Sequence, residues 1–200
     1  MQKIFNAKIM SMEHKSFLFN TSAFTKELSE IILTAGETDN EKLLISFINQ
    51  NLNDLKSPYS GEELTSEWIE ELETEDIQEL ADFAMTKYYN PDEELGLSYS
   101  WELLLESFDE LDLKFNNEYY ILGKSLDSEN FTLDPGRMGL GFIDSQQISS
   151  IHKELITLKQ NFISIFETES LDKEVIQAYE ELIEIYEEAK ESNCGLLMTF

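Results

Sequence analysis

Apolar residues recur at helical spacing along most of this chain and at strand spacing in only a few short pieces. Ile4, Ile9–Met12 and then Ser16–Phe19 are short extended runs near the start. Ser22 stands where a helix cap would, ahead of Phe24, Leu28, Ile31 and Ile32, with Gly36 as terminator. Thr38 and Glu41 have capping-box spacing before Leu44, Phe47, Ile48, Leu52 and Leu55, and Pro58 supplies a stop. Ser60 and Glu63 repeat that spacing, with Tyr59 and Leu64 as the staple pair, so Leu64, Trp68 and Leu72 should mark one face of a further helix. Ile77, Leu80, Ala81, Ala84 and Tyr88 continue as a second run until Asn90-Pro91 breaks the chain.

Trp101, Leu104, Leu105, Phe108 and Leu111 predict the next helix, Tyr119–Leu122 a strand ended by Gly123, and Ser125–Phe131 a loop. Asp144 caps a long helix, with Gln147 three positions on and Ile143 and Ile148 as the staple; Ile148, Ile151 or His152, Leu155 and Leu158 follow, and Asn161–Phe166 continues helical. Ser170 opens the last helix, with a stripe of Leu171, Val175, Ala178, Leu182, Ile185, Tyr186 and Ala189. Gly195 should stop it, and Leu196–Phe200 is apolar enough to be a buried final strand. The sum is an α+β fold: one predominantly helical domain over residues 1–200, with a small sheet that includes the C-terminal strand.

Charge changes this picture most. The formal net charge is −27 on 200 residues, which argues against direct binding of nucleic acid or an anionic membrane, because both need basic surface. A hydrophobic fraction of 42% and an aromatic fraction of 12% argue against disorder. Lys87 is the single basic residue between Ser60 and Leu113, and residues at about 60–97 stand out as an acidic helical stretch. Glu62, Glu63, Glu67, Glu70, Glu71 and Glu75 crowd its first part, together with Glu73 and Glu79. Such a run is either a solvated outer face or a docking surface for a basic protein.

Chemistry-bearing residues are sparse. Asp134-Pro-Gly-Arg-Met-Gly-Leu-Gly-Phe142 holds Arg137, the chain's one arginine, but its G-x-x-G-x-G spacing is neither a dinucleotide fingerprint nor a P-loop. Asp144 already fills the position an anion would take at the following helix, so a tight structural loop is the plainer account. Asp92–Gly96 lacks the later ligands of a calcium loop. His14, His152 and Cys194 are too few and too scattered for a metal site, and no cofactor is implied. A Cys-His nucleophile pair would sit in carboxylate-rich surroundings that raise a thiol pKa. Cys194 is the lone cysteine, the N-terminal residues lack a signal-peptide apolar core, and no run approaches a membrane span, so a cytoplasmic location is expected.

The Trp101-led helix followed by Ile121-Leu-Gly123, the strand Phe142-Ile143 entering the capped helix at Ser145-Gln-Gln-Ile148, and the closing Tyr179–Ala189 helix followed by Gly195-Leu-Leu-Met198 together resemble the YfbM-like family of uncharacterised bacterial proteins. Met10-Ser-Met12 is similar to the family's Met-containing opening. The resemblance covers about half the chain, from Trp101 onward; residues at about 60–97 do not fit it, which implies an acidic helical insertion there. It implies a single α+β domain and supplies no catalytic residue.

Two functional expectations follow. The first is an acidic binding protein of immunity or inhibitor type, capturing a basic protein partner through Glu62, Glu63, Glu67, Glu70, Glu71 and Glu75. The second is an enzyme of unassigned reaction with a small pocket near Trp101, Tyr119, Arg137 and His152. The scarcity of reactive groups favours the first.

Overall fold

A computed structural model describes residues 12–134, 140–166 and 172–200. In chain order the elements are β1 (His14–Phe19), α1 (Thr21–Glu27), α2 (Ser29–Thr38), α3 (Lys42–Asn51), α4 (Ile77–Met85), β2 (Leu95–Ser98), α5 (Trp101–Ser107), α6 (Tyr119–Leu122), β3 (Leu126–Asp127), β4 (Thr132–Leu133), β5 (Gly141–Ile143), α7 (Ser145–Phe166), α8 (Asp172–Glu191) and β6 (Gly195–Thr199). Short 3₁₀ turns sit at Leu52–Asp54, Trp68–Glu71, Thr86–Tyr88 and Phe108–Glu110.

Four strands form an antiparallel sheet in the order β2-β1-β6-β5. The C-terminal strand is therefore interior, pairing Phe17 with Leu197 on one side and Phe142 with Leu197 on the other. Strand alternation sends successive side chains to opposite faces. Phe17, Phe19 and Leu197 join a core with Phe24, Leu28, Leu44, Trp68 and Phe83 from the first half of the chain. Leu18, Leu196 and Met198 join a second core with Phe108, Tyr120, Leu155, Phe162, Tyr179 and Tyr186. The fold is thus α+β, with helices packed on both faces of the small sheet.

His14 ties three elements together under this sheet. The Leu97 backbone N–H donates to its Nδ1 at 3.2 Å, so the ring proton lies on Nε2, which donates to the Ile121 carbonyl at 2.7 Å. Burial holds this imidazole neutral, with its pKa lowered to about 4. The tyrosines of the second core are likewise paired: Tyr179 donates to Leu155 O, Tyr186 to Tyr120 O and Tyr120 to Glu154 Oε2.

Several elements differ from the sequence reading. Asn20, not Ser22, caps α1, accepting from Ala23 N at 3.1 Å. The helix breaks at Leu28, where φ is −126°. Gly36 lies inside α2, because the Phe131 ring packs where its side chain would be. Thr38 caps nothing; its hydroxyl donates back to Thr34 O, and Asp39 ends α2 in the left-handed region. Tyr119–Leu122 is a helical turn rather than a strand, with Ile121 N and Leu122 N both donating back to Glu118 O. Gly123, at φ 70°, ends that turn where a Cβ would meet Phe142 N at 2.7 Å. Residues expected as loop contribute the β3–β4 hairpin. Gly195 begins β6 rather than stopping α8; Asn193, at φ 52°, makes the left-handed turn instead.

The largest difference is the acidic region. Ser60 to Leu72 is not an α-helix. Leu64 N donates to Leu55 O and Ser57 N to Glu62 O, so the chain doubles back on itself, and only the 3₁₀ turn Trp68–Glu71 follows. Glu63, Glu67 and Glu71 would stack at i, i+4 in a helix, and such like-charge pairs destabilise it. Leu64 and Trp68 are nonetheless buried as expected. The remainder of residues 60–97 supplies α4 and the edge strand β2, so this region is woven into core and sheet.

Candidate functional site

The acidic surface is built on a small number of anchors. Trp68 is fully buried against Phe83, and its indole N–H donates to Asn49 Oδ1 at 3.0 Å. Glu67, Glu70 and Glu71 flank it on the exposed side of the 3₁₀ turn, and Glu62, Glu63 and Glu75 are exposed as well. Ile69, 46% exposed, sits among them. The ion pairs among the described residues are Lys15–Glu94, Lys56–Asp92, Lys87–Glu27 and Lys159–Glu180, and none uses these six glutamates.

Glu79, the one carboxylate of this run that is buried, organises the loop beneath. Asp76 caps α4 by accepting from Glu79 N at 2.9 Å, and the Glu79 side chain reaches back to Glu73 N and Thr74 N at 2.7 Å and Glu75 N at 2.9 Å. Thr74 Oγ1 and Tyr59 OH also donate to it, each at 2.9 Å. Burial opposes the charge, but the bonds from Glu73 N, Thr74 and Tyr59 outweigh it and hold the carboxyl at about 2. The sequence signal is Asp76-Ile-Gln-Glu79, which has capping-box spacing: the Asp76 half forms, while the Glu79 side chain reaches past the cap N–H to the three residues before it. One turn along α4, half-buried Asp82 is pushed the other way, up to about 7, by burial and then by the Glu79 charge.

The four residues named for a pocket are dispersed or outside view. Trp101 donates from its indole to Met12 O at 2.8 Å and packs on Phe200 at the sheet edge. His152 is buried on α7, its Nδ1 3.5 Å from Lys190 Nζ, with its pKa lowered by burial and then by that cation. Arg137 lies outside the described residues. Tyr119 does line a hollow of about 460 Å³, together with Phe24, Phe142 and Gln147, but neither Trp101 nor His152 lines it. Cys194 is half-buried, and burial pushes its thiol up, the wrong direction for a nucleophile. No helix among the described residues is long and apolar enough to cross a membrane.

No family model, curated protein or solved structure matches this chain.

Proposed function

We propose that this chain is an acidic binding protein that captures a basic protein partner, in the manner of an immunity or inhibitor protein acting in the cytoplasm. The observation that supports the reading is a set of exposed, un-ion-paired carboxylates on a segment fixed to the core by Trp68, Leu64 and Glu79. A rigid display matters. Charges held in place give complementary steering and register, whereas a floppy acidic tail gives only attraction. Ile69 in the middle of the display offers an apolar anchor of the kind that buried interface centres use.

The test is direct binding of a panel of small basic proteins, with polylysine as a control, at roughly 50 mM and 500 mM salt. The expected result is saturable binding of one protein at the lower salt, weakened at the higher. Replacing Glu62, Glu63, Glu67, Glu70, Glu71 and Glu75 by glutamine should weaken it by at least about tenfold. Equal retention of every basic protein and of polylysine, unchanged in the glutamine variant, would overturn the proposal.

A further inference from the structure

We propose that the hollow between α1–α2 and the start of α7 is a binding site for a neutral saccharide. The hollow, of about 460 Å³, falls within the size range of small-molecule sites. Its floor is apolar: Phe24 and Phe142 stack at 5.0 Å between ring centroids, and Phe142 keeps part of its surface free. Gly123 makes the site possible, since its positive φ turns the chain so that Lys124 pairs with Phe142 along one wall.

The rim carries donors and acceptors that the protein leaves unused. Gln147 Oε1 accepts the Tyr119 hydroxyl, and its Nε2 donates to no described residue. The Gln146 amide and Lys124 Nζ are further donors without a described partner, and both residues are exposed. Asp127 uses one oxygen for Ser125 Oγ, and Asp144 uses one for the α7 cap at Gln146 N, so each retains a second. A sugar ring matches this arrangement. Its C–H face is apolar and suits the Phe142 ring, and each hydroxyl both donates and accepts, so it can satisfy amide, ammonium and carboxylate together. A phosphate or carboxylate ligand would meet two carboxylates against one ammonium, within a chain of net charge −27. A polyamine would meet Lys124. A second hollow of about 440 Å³ shares Tyr119, Lys124 and Gln147, so the groove continues past one ring.

This site does not depend on the acidic display, and the two fail separately. The test is amide-resolved NMR titration of the full chain with maltose, cellobiose, chitobiose and ribose, with spermidine and glucose 6-phosphate as charged controls. At least one saccharide should give saturable shifts confined to residues around Tyr119, Lys124 and Gln147. The double variant Asp127→Ala, Gln146→Ala, two exposed positions outside the core, should weaken that binding about tenfold. The six-glutamine variant should leave it unchanged. No saturation with any of the four saccharides, a stronger response of the same signals to either charged control, or saccharide binding indifferent to the double variant would overturn the proposal.

Discussion

Glu79 and Asp82 are one helical turn apart on the same short helix, and their surroundings drive them in opposite directions. Glu79 is 7% exposed and accepts bonds from three consecutive backbone N–H groups and two hydroxyls. Its folded pKa of about 2 lies below the usual 4.5, so its stabilisation is complete above about pH 5 and is lost as pH falls toward 2. Glu79→Ala should cost on the order of 2–3 kcal/mol in urea unfolding at pH 7, because it also leaves those N–H groups unpaired. The cost should shrink as the pH is lowered. Asp82 carries the reverse sign: a folded pKa of about 7 against 3.8 means stability falls as pH rises through that interval. Asp82→Asn should therefore stabilise at pH 8 by about 1–2 kcal/mol, allowing for the partial exposure of the group, with the gain fading toward pH 4. A gain equal at both pH values would mean that Asp82 is ionised in the folded state throughout.

At the level of elements, the sequence was legible where a stripe was long and the partner sheet was nearby. The periodicity of Ile148, Ile151 and Leu155 and the cap at Asp144 placed α7, where period and terminus signal agreed, and the unbroken apolar run Leu196–Met198 placed β6 by its burial on both faces. The same reasoning failed over short segments, where a few buried residues fit more than one backbone. Tyr120 and Ile121 are buried in a helical turn and would have been buried in a strand; Leu64 and Trp68 are buried without any α-helix. Gly36 misled for a related reason: it reads as a terminator, yet it serves a contact with Phe131 from a hairpin that lies far along the chain. Alanine there would gain up to about 1 kcal/mol of helix propensity but collide with the base of the Phe131 ring, and overpacking of that kind costs about 1–3 kcal/mol. Gly36→Ala should thus be destabilising in the wild-type background and become neutral or stabilising once Phe131→Ala opens the space. A double-mutant cycle measured by urea unfolding would show the sign change.

For the whole molecule, what the sequence made plain was the charge, and what it could not supply was which charges converge. The six glutamates are local in sequence, so their common exposure could be anticipated. The hollow assembled from Phe24, Tyr119, Phe142 and Gln147 joins residues far apart along the chain, and no spacing rule points to it. Charge also governs stability at this scale. Every ion pair among the described residues has at least one partner 39% or more exposed, and pairs of that kind contribute about 0–1 kcal/mol each. They cannot offset the mutual repulsion that accompanies a net charge of −27. Screening acts on both terms, weakening the few attractions and the many repulsions together, and the repulsions dominate. Raising salt from roughly 10 mM to 500 mM should therefore raise the Tm by about 5 °C, measured by calorimetry. Sodium chloride and potassium chloride should act alike, because the effect is one of ionic strength. A Tm that falls with salt would mean that the surface pairs outweigh the repulsion, and the acidic face would then be ordered by attraction within the chain rather than held out by its anchors.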